Sequence, residues 1–432
     1  MFVSTKFDQI HRARSPGIAL RAYMALTRLL EPFMPIHLWK RRRKLKEHPQ
    51  RWPEKMGRAM AERPEGRLVW LHAVGLGEAL ALRGLIERLS VRKDLSFLVT
   101  SGTRVSGEIL SRDLPPQARH QFMPFDLPGA SKRFLDHWRP DLAVWSEQDL
   151  WPGLVTRSDL RGVPLVLVNA RMNADAHARR SRFRPIYVDI LSRFALISAQ
   201  DDLTAQHLRD LGAPKVKVDG SLKVIAPPLL VDTHMFVGLK NALAGRFTWV
   251  VGSSHAEDEE LAILAHKAVL ARDPNALLIL VPRQAQRGAE IAQNVTNADL
   301  TVAQRSQGSD MTPQVYVADT FGEMGLWYKL TKVVYVGGTN GPTEGHNPWE
   351  PLALGAAVLH GPRTANFTED YAALASADAA RLVNEPNELA DLLTSEILEP
   401  LSQRGQAARN ARLDQMNDLC QSLLDLIPNS PS

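Results

Sequence analysis

A chain of 432 residues exceeds what one hydrophobic core usually organises, so two domains are expected. Apolar residues make up 44% and charged residues 23%, which excludes a disordered or fibrous chain. The single cysteine, Cys420, excludes an internal disulfide and a cysteine-cluster metal site, and fits a reducing compartment.

Residues 15–39, SPGIALRAYMALTRLLEPFMPIHLW, are apolar but interrupted by Arg21, Arg28 and Glu31. A spanning helix wants about twenty apolar residues, so these charges argue against one. The next seven residues, KRRRKLK (40–46), include six basic ones, and they lie on the wrong side for a signal peptide. An amphipathic helix in the membrane interface fits, with Trp39 at headgroup level and the basic block on anionic lipid. The plain alternative is a helix packed on the first domain.

From residue 66 short apolar runs alternate with helical patterns. The predicted strands are 68–74, 95–100, 141–145, 164–169, 195–199 and 216–220. Prolines near 221–233 break the rhythm, which restarts with strands at 247–254, 276–282, 315–319, 332–338 and 356–361. This is the pattern of two doubly wound α/β domains with parallel sheets and a cleft. Residues 1–46 are read as a membrane-proximal segment, 47–228 as the first domain and 229–432 as the second, ending in a terminal helix.

Ligands of such sheets bind on loops after the strands. After the first strand a Gly-x-Gly turn leads to Glu78, either a first-turn helix carboxylate or a catalytic one. Glu147 and Asp149 follow 141–145 and could bind a metal or orient a hydroxyl; Asp149 could instead cap the next helix. Asn169 and Arg171 end the following strand, and Lys223 sits in DGSLK.

In the second half Ser253, Ser254 and His255 end one strand, and Pro282 and Arg283 end the next. An arginine there can pair a phosphate. Thr320 and Glu323 read as a capping box around Gly322 and Met324. Asn347, Pro348, Trp349 and Glu350 read as N-cap to N3 of a helix after a glycine-rich loop, either a plain cap or an anion site. The chain has no Asp-x-Asp, no GxGxxG opening a domain and no HExxH, so neither a metal site nor a dinucleotide cofactor is expected.

Taken together, these stretches resemble the 3-deoxy-D-manno-octulosonic acid (Kdo) transferases of Gram-negative bacteria. WLHAVGLGE, SEQDLWPGL, PLVLVNARMN, DGSLK, LILVPR, DTFGEMGLWY and VYVGGTNGPTEGHNPWEPLALG fall in that family's order over nearly the whole chain. The resemblance implies the GT-B fold, a CMP-Kdo donor rather than a bound cofactor, and a lipid A precursor as acceptor. It implies metal-independent inverting transfer at the cytoplasmic face of the inner membrane, with no nucleic-acid partner. It matches Glu78 to the catalytic base, and Glu147 and Lys223 to groups that stabilise the transition state. Pro282, Arg283, Gly322, Glu323, Met324 and residues Asn347 to Glu350 match the CMP-binding loops. The chain departs from the family at Gly75, Leu76, Gln148, Asp149, Gly153, Ser254, Glu257 and Asp258. A relative using another nucleotide sugar, or a non-catalytic membrane-bound paralogue, is the alternative reading.

Overall fold

The computed structural model describes residues 14–73, 76–147, 149–308 and 310–428; the side chains of residues 76–80 and 113 lie outside this description. The chain forms two compact units: Met1–Ala226 with Asp414–Ser432, and Pro227–Leu413. The expected break at 228 thus falls at Ala226. The long helix Leu398–Leu426 begins in the second unit and ends in the first. Met416, Leu419 and Leu423 of its second half are buried, and Arg92 Nη2 donates to Pro428 O at 2.7 Å.

The N-terminal segment also belongs to the first unit instead of standing apart. It forms two helices, Ile18–Leu30 and Met34–Arg43, joined by a 3-10 turn. Leu20 and Leu38 are buried. The Gly17 N–H donates to Asp189 at 2.6 Å, the Tyr23 hydroxyl to Asp126 at 2.9 Å, and the Gly129 N–H to Glu31 at 3.0 Å. Glu31, an interruption in the apolar run, is therefore a packing contact. Among the described residues no helix is long and apolar enough to cross a membrane.

The first unit holds strands β1 Arg67–His72, β2 Leu95–Ser101, β3 Ala118–Phe122, β4 Leu142–Ser146, β5 Leu165–Ala170, β6 Leu196–Ala199 and β7 Lys217–Val218. They lie in the order β3-β2-β1-β4-β5-β6-β7, all pairs parallel. The second unit holds β8 Thr248–Ser254, β9 Leu277–Pro282, β10 Val302–Gln304, β11 Val315–Val317, β12 Val333–Val336, β13 Ala357–His360 and β14 Ala380–Leu382. Their order is β10-β11-β9-β8-β12-β13-β14, again parallel.

Central strands are buried on both faces, so they read as continuous apolar runs. Leu68, Val69, Trp70 and Leu71 of β1 are all fully buried. Trp70 packs on Trp145 and Phe134, with ring centroids 4.7 and 4.9 Å away, and its indole N–H donates to Thr100 Oγ1 at 2.9 Å. Three strands were not legible in the sequence: β3, β10 and β14. All three lie at sheet edges, where polar residues suffice. The β3 strand reads ARHQF, and residues 51–56 cover it. Phe122 N–H donates to Glu54 Oε2 at 2.9 Å, and Arg51 Nη2 donates to His120 O at 2.8 Å.

Candidate active site

In the first sheet the chain reverses direction between β1 and β4, and ligands of such folds bind outside that crevice. The helix Leu76–Leu89 follows β1 and carries Glu78 in its first turn; the Glu78 side chain lies outside the described residues. This helix crosses the short turn Leu222–Ile225 at Gly84. A Cβ there would stand 1.8 Å from Ile225 O, so only glycine allows the approach. That contact sets the turn bearing Lys223 against the helix bearing Glu78.

Glu147 directly follows β4 and Asn169 lies near the end of β5; both have positive φ, +62° and +55°. Such non-glycine strain costs on the order of 1–3 kcal/mol and persists where surrounding structure enforces it. The enforcing bonds are visible. Glu147 N–H donates to Val168 O at 3.0 Å, and Asn169 Oδ1 accepts the Leu222 N–H at 2.9 Å. Asn169 thereby holds the Lys223 turn at the same sheet edge as Glu147 and Glu78.

Asp149 does not cap the helix Pro152–Asp159, which corrects that reading; its N-cap, Trp151, makes no side-chain cap bond, and the first-turn Gly153 N–H donates to Asp126 at 2.7 Å. Asp149 instead spans the crevice. Its Oδ2 accepts the Trp151 indole N–H at 2.8 Å and lies 3.3 Å from Nε2 of His72, the last residue of β1. His72 is buried, with Nδ1 3.2 Å from Thr100 O and 3.0 Å from its hydroxyl. Burial pushes the Asp149 carboxyl up. The bonds from His72 and Trp151, with the charges of His72 and Arg180, outweigh burial and leave it below the usual carboxylate range. His72 was missed in the sequence because a lone histidine at a strand end looks like any buried polar residue. Beside it, Glu147, Arg171, Arg180, Leu150, Met172 and Tyr187 line one pocket.

In the second sheet the reversal falls between β8 and β12. Pro282 ends β9 and is buried, Arg283 is exposed, and the Arg283 N–H donates to Ser254 O at 3.1 Å. Ser253 has φ +54°, a third strained residue at a strand end. The glycine loop after β12 folds back over these residues. Gly345 N–H donates to Gly338 O at 2.7 Å, and a Cβ on Gly337 would stand 2.7 Å from Ser253 O. Asp258, noted in the sequence only as a departure from the family, is the buried organiser of this loop. It accepts N–H bonds from His255 at 3.0 Å, Gly338 at 2.6 Å and Asn340 at 3.2 Å. Its carboxyl is nevertheless raised, because burial outweighs those bonds.

The Thr320–Glu323 pair is not a capping box. Glu323 itself stands at the N-cap of helix Met324–Leu330, with no side-chain cap bond. Its carboxylate meets the Thr320 hydroxyl and is held by Arg305 at 2.8 and 3.1 Å, which lowers its pKa. Gly322 has φ +86° in the turn before it. Asn347 is not the N-cap but the residue before it; its Oδ1 accepts the Trp349 N–H at 3.1 Å and its Nδ2 donates to Glu350 at 3.3 Å. The helix is Trp349–Ala353, with Pro348 at the N-cap, one residue later than expected. Trp349 is buried and its indole donates to Asp370 at 2.7 Å, so it anchors the loop from inside. Among the described residues no group of three or more His, Cys, Asp and Glu could hold a metal ion.

A family model described as 3-deoxy-D-manno-octulosonic-acid transferase (kdotransferase) matches residues 50–226. A probable mitochondrial 3-deoxy-D-manno-octulosonic acid transferase of Arabidopsis thaliana is 35% identical over 399 residues, 88% of this chain and 89% of the relative. The 3-deoxy-D-manno-octulosonic acid transferase of Bordetella pertussis is 31% identical over 90% of this chain and 94% of its own. The chain belongs to the Kdo transferase family. It is a glycosyltransferase of that family, as the resemblance read in the sequence implied. In fold, a glycosyltransferase from Rickettsia africae matches 85% of this chain and all of its own, with a TM-score of 0.55 at 9% identity. The two parallel α/β domains of this Kdo transferase relative are thus of the GT-B type.

Proposed function

We propose that the protein transfers Kdo from CMP-Kdo to a hydroxyl of a lipid A precursor, lipid IVA, with inversion and without a metal. One observation carries the catalytic assignment. Glu78, Glu147 and Lys223, far apart in sequence, come to one edge of the first sheet through Asn169 and Gly84. A sugar hydroxyl is a poor nucleophile at neutral pH. A carboxylate in the first turn after β1 can take its proton as the new bond forms, worth about 10²–10⁴ in rate. The hydroxyl oxygen then bonds to the anomeric carbon of Kdo while the bond to the CMP phosphate breaks. Glu147 and Lys223 stabilise the charge that moves in that step.

The donor's CMP is assigned to the edge of the second sheet, at Arg283, the Gly322–Met324 turn and the loop ending at Glu350. A monophosphate donor needs no diphosphate clamp, and Arg283 supplies a cation for it. The acceptor is anionic and lipidic. Arg171 and Arg180 in the pocket beside Glu147 suit its charge, and the apolar N-terminal face suits its membrane. The decisive experiment is turnover of CMP-Kdo with lipid IVA in excess EDTA. Release of CMP matched to Kdo-lipid formation is expected. No product, or a loss that Mg²⁺ restores, sinks the corresponding part of the reading.

A further inference from the structure

Across the reversal of the second sheet, His255 after β8 meets His346 in the loop after β12. Their Nε2 atoms are 3.1 Å apart, the ring planes differ by 11°, and the centroids are 5.4 Å apart. The centroid separation exceeds the nitrogen separation by about two ring radii. The rings therefore lie edge to edge in nearly one plane, and their contact is an in-line N–H···N hydrogen bond. Such a bond contains one proton. Two imidazolium rings would aim N–H at N–H, so the pair holds at most one extra positive charge.

We propose that this pair is a phosphate-recognising group that takes up one proton when the donor's CMP binds. The inference rests on the assignment of CMP to the second unit. Arg283, exposed after β9, donates its backbone N–H to the carbonyl of Ser254, the residue before His255, at 3.1 Å, so the pair stands beside the loop whose cation is expected to meet the phosphate. Burial, then the neighbouring His255, then Arg283 hold the His346 imidazole down to about 4, so it is neutral before the ligand arrives. A phosphate cancels the last of these influences and adds one of its own. It attracts a proton to the pair and it neutralises Arg283. One ring then donates to a phosphate oxygen while the other retains the N–H···N bond.

The surrounding charges permit this. On the His255 side, Asp258 is engaged by backbone N–H groups. Glu257 lies close against Gly341, and Glu344 is paired with Arg363. Thr343 Oγ1 is 3.4 Å from both nitrogens of His255, and the Tyr371 hydroxyl donates to the His346 carbonyl at 3.1 Å. On departure of CMP from Kdo, the electron pair of the broken bond passes to the phosphate oxygen. The protonated pair faces the extra negative charge.

The test is calorimetric titration of CMP into the full chain at about pH 7, in two buffers of different ionisation enthalpy. Uptake of about half a proton or more per CMP is expected, with none for cytidine, which lacks the phosphate. Uptake should vanish in His346→Gln and in His255→Gln, whose folding is checked by thermal unfolding. Histidine nitrogen NMR of the parent, with and without CMP, reads the same protonation without any variant. CMP binding with no proton uptake, unchanged histidine signals, or unchanged uptake in either folded variant overturns the proposal. No CMP binding by the parent overturns the donor-site assignment itself.

Discussion

Glu78 occupies a first helical turn, where a carboxylate gains only about 0.3–1 kcal/mol from the helix dipole. Glu78→Gln keeps size and hydrogen bonding but removes the proton-accepting charge. Turnover should fall by about 10² or more while CMP binding and the unfolding midpoint stay near the parent's. A folded variant turning over at the parent rate returns Glu78 to a capping role. Asn169 makes a second, different prediction. It has positive φ, which asparagine tolerates and alanine resists, and it satisfies the buried Leu222 N–H. Asn169→Ala should cost about 1–3 kcal/mol and lower turnover through the displaced Lys223 turn. Denaturant unfolding and kinetics check both, and unchanged kinetics would show that the turn holds its place without Asn169.

The two N-terminal helices bear out the plain alternative, a segment packed on the first domain. One face packs on the first unit; the other presents Ile18 at 80% exposure, Leu29 at 71%, Phe33 at 64% and Trp39 at 49%. Trp39 also lies under the Arg43 guanidinium, 3.7 Å from the ring centroid. Deleting the segment would remove core contacts such as Leu20 and Tyr23–Asp126, so loss of membrane binding would be confounded by unfolding. Substituting only the exposed face is clean. Leu29→Glu with Phe33→Glu should reduce sedimentation with anionic vesicles severalfold and leave the thermal midpoint within about 2 °C, since surface changes cost little. Equal sedimentation of variant and parent would rule out this face as the membrane contact. Raised salt should weaken the parent's binding, because the basic residues of 40–46 act through screened attraction.

At the scale of the molecule, buried neutral histidines set the acid limit of stability. Burial holds His120 down to about 3 and both His266 and His346 down to about 4. His266 shows the reason in its bonds. Its Nδ1 accepts the Trp249 indole N–H at 3.2 Å while Nε2 donates to Gln314 O at 2.9 Å, so a second proton has no place. The folded pKa values lie below the unfolded value near 6.5, so the unfolded chain binds more protons in acid. Their stabilisation is complete above about pH 6.5 and is lost as pH falls toward 4. Each costs up to about 2 kcal/mol by pH 5. Asp126 and Asp258, whose carboxyls are raised by burial, act in the opposite sense and offset part of this at the acid end. Urea unfolding at pH 7 and pH 5 should show a lower midpoint at pH 5. Equal midpoints would mean that these rings are not held neutral.

By itself the sequence determined what repeats and what is continuous. The apolar runs of the central strands followed from burial on both faces, and the order of motifs carried the family. The loops after β4, β5 and β9 stood out because their charged residues end strands. Three of the four edge strands escaped; β3, for one, is paired on one side only and carries Arg119, His120 and Gln121. Only the tertiary structure decided which charges meet. His72 with Asp149 is a contact over 77 positions, and His255 with His346 one over 91. Each pair joins the two strands between which its sheet reverses, and that adjacency is a property of strand order, which local sequence does not encode. The same holds for Asp258. Its neighbours in sequence are acidic and solvent-suited, but its partners lie 80 residues away in a glycine loop that no local pattern connects to it.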